Sequence, residues 1–224
     1  MRCLSCAIAM IIGLLVFSSP AFAAATVYDD ETAFRNDAGP TTTYGFEVHG
    51  LIEGIDVSGF APFAAADLDN SFDLALTNFN WFEIVDDVSS VGTTEGTHCV
   101  FTHTVYPADN YTLTFSNFGA SAGSVAAFGF TITDFASNIT DPATITYDTG
   151  LLTGTLLSVP GGQLEYTQNF VGVIVDAGEA FTSITITLDD NLSGMQWFDE
   201  VIFTDVSVTL AHSETWGSIK SLFR

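Results

Sequence analysis

Positive charge is nearly missing from this chain: four lysine and arginine residues stand against 27 aspartate and glutamate, for a formal charge of −23. Such a surface repels phosphate backbones and anionic lipid, so neither nucleic acid nor an acidic membrane face is an expected partner. Cysteine is almost as scarce. Of the three, Cys3 and Cys6 fall in the leading segment and Cys99 is alone in the body, which excludes an intramolecular disulfide there. Stability must come from a hydrophobic core or from bound ions. Lysine and other good helix formers are sparse, and the leading apolar run, Ile8 to Phe17, is shorter than the roughly 20 residues that cross a bilayer.

What is present begins with an export signal. Arg2 supplies the charged start, Ile8 to Phe17 the apolar run and Ala21-Phe22-Ala23 a small-x-small cleavage site. Residues 1–23 are therefore expected to be a signal peptide and the protein to be secreted or held at the cell surface. The remainder is long enough for one domain, set here at residues 24–210, with no linker that would divide it. A short tail follows at residues 211–224, where Trp216, Ile219, Leu222 and Phe223 fit one helical face beside Lys220 and Arg224. A frayed end and a sorting or anchoring tag both suit it.

Phenylalanine, threonine and β-branched residues dominate the body, an all-β composition. Thr26-Val27-Tyr28 reads as an edge strand. Thr32 to Ala38 reads as the only helix, with acids at its start and Gly39-Pro40 at its end. Strands follow at 42–48, 81–88, 99–106, 111–115, 125–135, 144–147, 150–157, 170–175 and 184–188, and a last one opens at Gln196. The stretch from His49 to Asn80 is loose, and its acids at Asp67, Asp69 and Asp73 lack the glycine and terminal glutamate of an EF-hand. Some ten strands without helical crossovers predict a two-sheet antiparallel β-sandwich, jelly-roll-like, with one short N-terminal helix.

The sharpest chemical feature is Trp197-Phe198-Asp199-Glu200-Val201-Ile202-Phe203. Strict strand alternation puts Trp197, Asp199, Val201 and Phe203 on one face. Three are core residues on this reading and one is a carboxylate, which is costly there unless paired, protonated or bound to a cation.

Three segments carry a family resemblance: Thr43-Tyr44-Gly45-Phe46-Glu47, Ala127-Phe128-Gly129-Phe130-Thr131-Ile132, and Phe170-Val171-Gly172-Val173-Ile174 followed by Phe181-Thr182-Ser183-Ile184 and Trp197-Phe198-Asp199-Glu200-Val201. In that order they resemble exported bacterial β-sandwich proteins of the PEP-CTERM type, over roughly residues 26–210. The tail departs from that type, lacking the Pro-Glu-Pro motif, membrane helix and arginine cluster. Glu47 and the acid pair opening the last strand are also similar to those of carbohydrate-binding jelly rolls, where such residues hold a structural calcium. That resemblance implies Glu47 and Asp199 as calcium ligands, completed by carbonyls and a further acid; an Asp199 that only accepts backbone hydrogen bonds is the other reading.

Other chemistry is thinner. His98 and His103 face opposite sides of an extended strand and do not converge on zinc, and Cys99 is expected to be buried. Glu83, Glu165, Asp199 and Glu200 are candidate acids for glycoside cleavage, but no serine, cysteine or histidine signature accompanies them. Trp81, Phe82, Tyr106, Tyr111 and Tyr166 are possible platforms for a sugar ring, and the sequence does not separate exposed from core aromatics. The function expected is a non-catalytic binding or structural module, calcium-stabilised and associated with extracellular polysaccharide or a cell-surface component. A polysaccharide-acting hydrolase or lyase is the alternative.

Overall fold

Threonine alternating with leucine, isoleucine or phenylalanine gives each strand one apolar and one hydroxylated side, so two such sheets bury their apolar sides against each other. The computed structural model shows this arrangement and describes residues 24–47, 52–56, 71–86, 96–104, 111–119, 124–133, 143–159, 168–176, 179–189 and 195–204. The signal segment, the acids Asp67 and Asp69, Tyr106, Glu165, Tyr166 and the tail lie outside the described residues.

In chain order the elements are β1 (Ala25–Tyr28), α1 (Glu31–Ala38), β2 (Thr41–Tyr44), β3 (Ile52–Asp56), β4 (Asp73–Thr77), β5 (Phe79–Asp86), β6 (His98–Thr104), β7 (Tyr111–Ser116), β8 (Ala127–Thr133), β9 (Ala143–Asp148), β10 (Thr153–Val159), β11 (Gln168–Val175), β12 (Ser183–Asp189) and β13 (Met195–Thr204). The larger sheet runs β1-β11-β8-β13-β6-β5-β3, with β2 added by pairing to β13, and the smaller runs β10-β9-β12-β7-β4. Every pairing is antiparallel. The fold class expected from the sequence is the one observed. Two strands had no counterpart in that reading: β3 and β4 lie in the stretch read as loose, because Gly54 and the short Asp73-to-Thr77 segment obscure the alternation.

The core between the sheets is unusually aromatic. Phe72, Phe115, Phe118, Phe128, Phe130, Phe198 and Phe203 are all buried and linked by edge-on or tilted ring contacts, such as Phe115 to Phe128 at 4.8 Å between centroids. Each ring removes more apolar surface from water than an aliphatic side chain, which offsets the missing disulfide. Cys99 is fully buried and forms no disulfide with any described residue.

Helix α1 starts at Asp30, whose carboxylate accepts the Ala33 N–H at 2.7 Å, and stops at Gly39, with φ of 76°. It lies on the outer side of the larger sheet. Its only fully buried residue, Phe34, enters a trough made by the paired glycines Gly129 of β8 and Gly172 of β11. A Cβ on Gly172 would stand 2.7 Å from the Phe34 ring, and one on Gly129 2.7 Å from Phe170. Phe34, Ala127 and Ile202 form a second small core there, bordered by Tyr28, Phe170 and Ile174. The two glycines are thus a docking device rather than turn residues.

Candidate functional site

Strand β13 is the axis of the larger sheet, and it is irregular. Asp199 lies opposite Thr131 and Ile202 opposite Gly129, so two β13 residues, Glu200 and Val201, face the single Phe130. This is a β-bulge, and Glu200 occupies the left-handed region at φ 56°. The extra residue breaks the alternation. Phe198, Val201 and Phe203 point into the inter-sheet core, whereas Trp197 and Asp199, directly opposite Thr133 and Thr131, share the outer face with Ile202. The sequence reading that put Trp197, Asp199, Val201 and Phe203 on one face is corrected here. A strand that carries one additional residue flips every side chain beyond it.

Asp199 is nonetheless 0% exposed. Its Oδ1 accepts the Glu200 backbone N–H at 2.7 Å, a contact that holds the bulge shut. Glu200, also buried, turns its carboxylate to α1, where the Arg35 guanidinium donates to its Oε1 at 2.7 Å. Arg35 donates as well to Thr43 at 2.9 Å, to Thr41 at 3.3 Å and to Glu31 one turn earlier. It is the only lysine or arginine among the described residues. One cation therefore ties the helix, β2 and the bulge together.

The bulge also marks a change of partner. Up to Phe198, β13 pairs with β6; from Val201 it pairs with β2 along the same edge. Glu47, just past β2, bridges the two: its Oε1 accepts the Thr97 and His98 backbone N–H groups at 2.7 and 2.5 Å, and its Oε2 lies 3.0 Å from His98 Nδ1. Gly96, at φ 71°, leaves room for that carboxylate, since a Cβ there would collide with it. Burial opposes ionisation of Glu47, but the His98 ring and the two backbone N–H groups outweigh it and hold the carboxyl below its ordinary value.

The two acids expected to bind calcium thus occupy the same stretch of the sheet with different duties. Glu47 closes the seam between β2 and β6, and Asp199 closes the bulge. Among the described residues no three of histidine, cysteine, aspartate and glutamate gather as a metal site requires. The alternative acids separate likewise: Glu200 is held by Arg35, and Glu83 lies on the outer face of β5.

That outer face carries the arrangement with the most to offer a ligand. Residues directly opposite one another form a row across five strands: Glu83 of β5, Phe101 of β6, Trp197 of β13, Thr133 of β8 and Gln168 of β11. Phe101 and Trp197 are half-buried, with centroids 5.4 Å apart. Trp81, one register step away on β5, is 39% exposed, and its indole N–H donates to Glu83 Oε2 at 3.2 Å. Trp197 is the centre of the row; Thr133, next along, is fully buried, and its hydroxyl has no hydrogen-bond partner among the described residues.

Of the aromatics expected as platforms, Trp81 is exposed, whereas Phe82 and Tyr111 are core. Phe101 and Trp197 were missed. Trp197 reads as core by alternation, and only the register joining it to Phe101 reveals the pair.

No family model matches the chain, and no curated protein is similar to it. Among solved structures the chain is similar to a variant of a family 29 carbohydrate-binding module, at 9% identity and TM-score 0.40, over 74% of this chain and 92% of that one. It is similar to a cleaved adhesin domain of Lys-gingipain at 12% identity and TM-score 0.39, over 74% of this chain and all of that one. A family 61 carbohydrate-binding module, solved with β-1,4-galactotriose, matches at 13% identity and TM-score 0.37, over 59% of this chain and 88% of that one. These likenesses are loose.

Proposed function

We propose that this protein is an exported, non-catalytic module that binds polysaccharide on the outer face of its larger sheet. One observation carries the reading: Trp81, Phe101 and Trp197 gather partly exposed on a sheet face beside Glu83. Aromatic rings on a solvated face stack on the apolar CH surface of a sugar, while a carboxylate and an amide bond its hydroxyls. Catalysis is disfavoured by the acids themselves, because Glu200 is paired with Arg35 and Asp199 has no exposed surface. Export rests on the leading segment of the sequence.

The test is a glycan-binding screen of the mature protein beside Trp81→Ala and Trp197→Ala. Retention by an insoluble or soluble polysaccharide, lost in both variants while their far-UV spectra stay native, supports the reading. Retention equal in all three proteins sinks it.

Calcium stabilisation is a separate proposal. Its support is the complete burial of the Asp199 carboxylate, which suits a cation ligand; Glu47 joins such a site only by sharing oxygens that already accept from Thr97 and His98. An ion bound only by the folded state raises the melting temperature by mass action. The mature protein is expected to melt higher with calcium than with chelator, and Asp199→Asn to lose the difference. Identical melting curves would remove calcium from the account.

A further inference from the structure

We infer that the ligand of this face is an uncharged, extended polysaccharide chain engaged along its length, rather than a single sugar or an acidic glycan; the inference rests on the binding reading above. Two features of the face lead there, the spacing of its aromatic rings and its charge.

Trp81 and Trp197 are separated by two strand positions and one register step, because Trp81 pairs with His103 and Trp197 with Phe101. Ordinary strand spacing and rise put their backbone positions about 12 Å apart, so about three consecutive pyranose rings of an extended chain are needed to reach both. A monosaccharide can touch only one indole. Phe101 sits between them and continues the surface, and the Thr133–Gln168 end of the row lies two further strands along, beyond Trp197.

Charge narrows the class. Glu83 borders the aromatics, and Arg35, the sole arginine or lysine among the described residues, is taken up by Glu31, Thr41, Thr43 and Glu200. With only four basic residues in the whole chain against 27 acidic ones, a uronate or sulfate polymer meets repulsion without a paired cation. An amino-sugar polymer would be attracted by charge alone, and that attraction weakens as salt is added. A neutral chain is the class that stacking and hydroxyl contacts recognise without either effect.

The experiment titrates the mature protein with β-1,4-linked gluco- and manno-oligosaccharides of one to six rings, and with polygalacturonate and chitosan oligomers, at low and high salt. The expected result is about a tenfold gain in affinity between two and four neutral rings, unchanged by salt. Trp81→Ala, at an exposed position where folding is not at stake, is expected to erase that gain. Polygalacturonate is expected not to bind. Affinity that is flat with chain length, or polygalacturonate bound as tightly as the neutral series, overturns the inference and leaves the polysaccharide reading standing. Chitosan as the only ligand, released by salt, overturns it too. Failure of every glycan to bind takes down the polysaccharide reading and this inference with it.

Discussion

The two outer faces of this sandwich are made from similar strands and have different characters. On the smaller sheet, Thr77, Thr112, Thr187, Thr146 and Thr155 lie directly opposite one another across all five strands. A neighbouring pair, Thr114 and Thr185, joins its hydroxyls at 3.0 Å. This is the composition any half-solvated strand favours, since threonine fits the pleat and tolerates water. On the larger sheet the outer face holds a docked helix, a glycine trough, a bulge with two buried acids and the aromatic row. Strand formation requires none of these. The contrast separates residues that make a sheet from residues that give it something to hold.

The largest effect is expected at the trough. Phe34→Ala removes the one ring that seats α1 and is expected to cost about 3–5 kcal/mol in urea unfolding. Thr146→Ala, in the middle of the other face, is expected to stay within about 1 kcal/mol. Equal losses at the two sites would mean the faces do not differ in the way described.

A smaller effect is expected at the bulge. Glu200→Ala removes a charged acceptor from Arg35 and is expected to cost about 1–3 kcal/mol. Glu200→Gly, which also loses the carboxylate but relieves the left-handed backbone, should be less destabilised by about 1 kcal/mol. Chemical denaturation of the pair checks this, and a glycine variant no better than alanine would show that the φ of 56° carries no strain.

Trp81→Ala is expected to separate binding from stability. Its stability should shift by no more than about 0.5 kcal/mol, as at other solvated positions. Its loss should appear in glycan binding alone, whereas Thr155→Ala on the opposite face leaves binding intact.

The smallest effect concerns acid. The Glu47 carboxyl is lowered in the folded protein from an ordinary value of 4.5, so its contribution is complete above that value and is lost as pH falls through the lower folded one. Melting temperature followed downward from pH 5 should fall less steeply in Glu47→Gln than in the parent. Parallel curves would show that the clasp on Thr97 and His98 adds nothing.

Much of this architecture is legible in the chain. The alternation of threonine with leucine and isoleucine in β7, β9 and β12 is strict, and those strands fall where the pattern puts them. Helix α1 is legible because its cap and stop are local: Asp30 and Gly39 act on groups three or four residues away. Strand β4 is not, since five residues with a single alternation give too short a signal. The Glu47 clasp joins residues 50 apart in sequence, and Arg35 meets Glu200 across 165. No spacing rule reaches that far.

Composition and periodicity settle the fold class, most of the strands, the want of a disulfide and the excess of acidic residues, because each follows from residue type and from neighbours within a few positions. Which way Asp199 and Trp197 point is decided elsewhere. One extra residue, accommodated where β13 exchanges β6 for β2, reverses the pleat after Asp199, so that Val201 and Phe203 join Phe198 in the inter-sheet core while Asp199 and Trp197 keep the outer face they share with Phe101. Strand pairing between distant segments sets that register, and a bulge acts on every side chain after it while leaving no mark on local hydrophobicity.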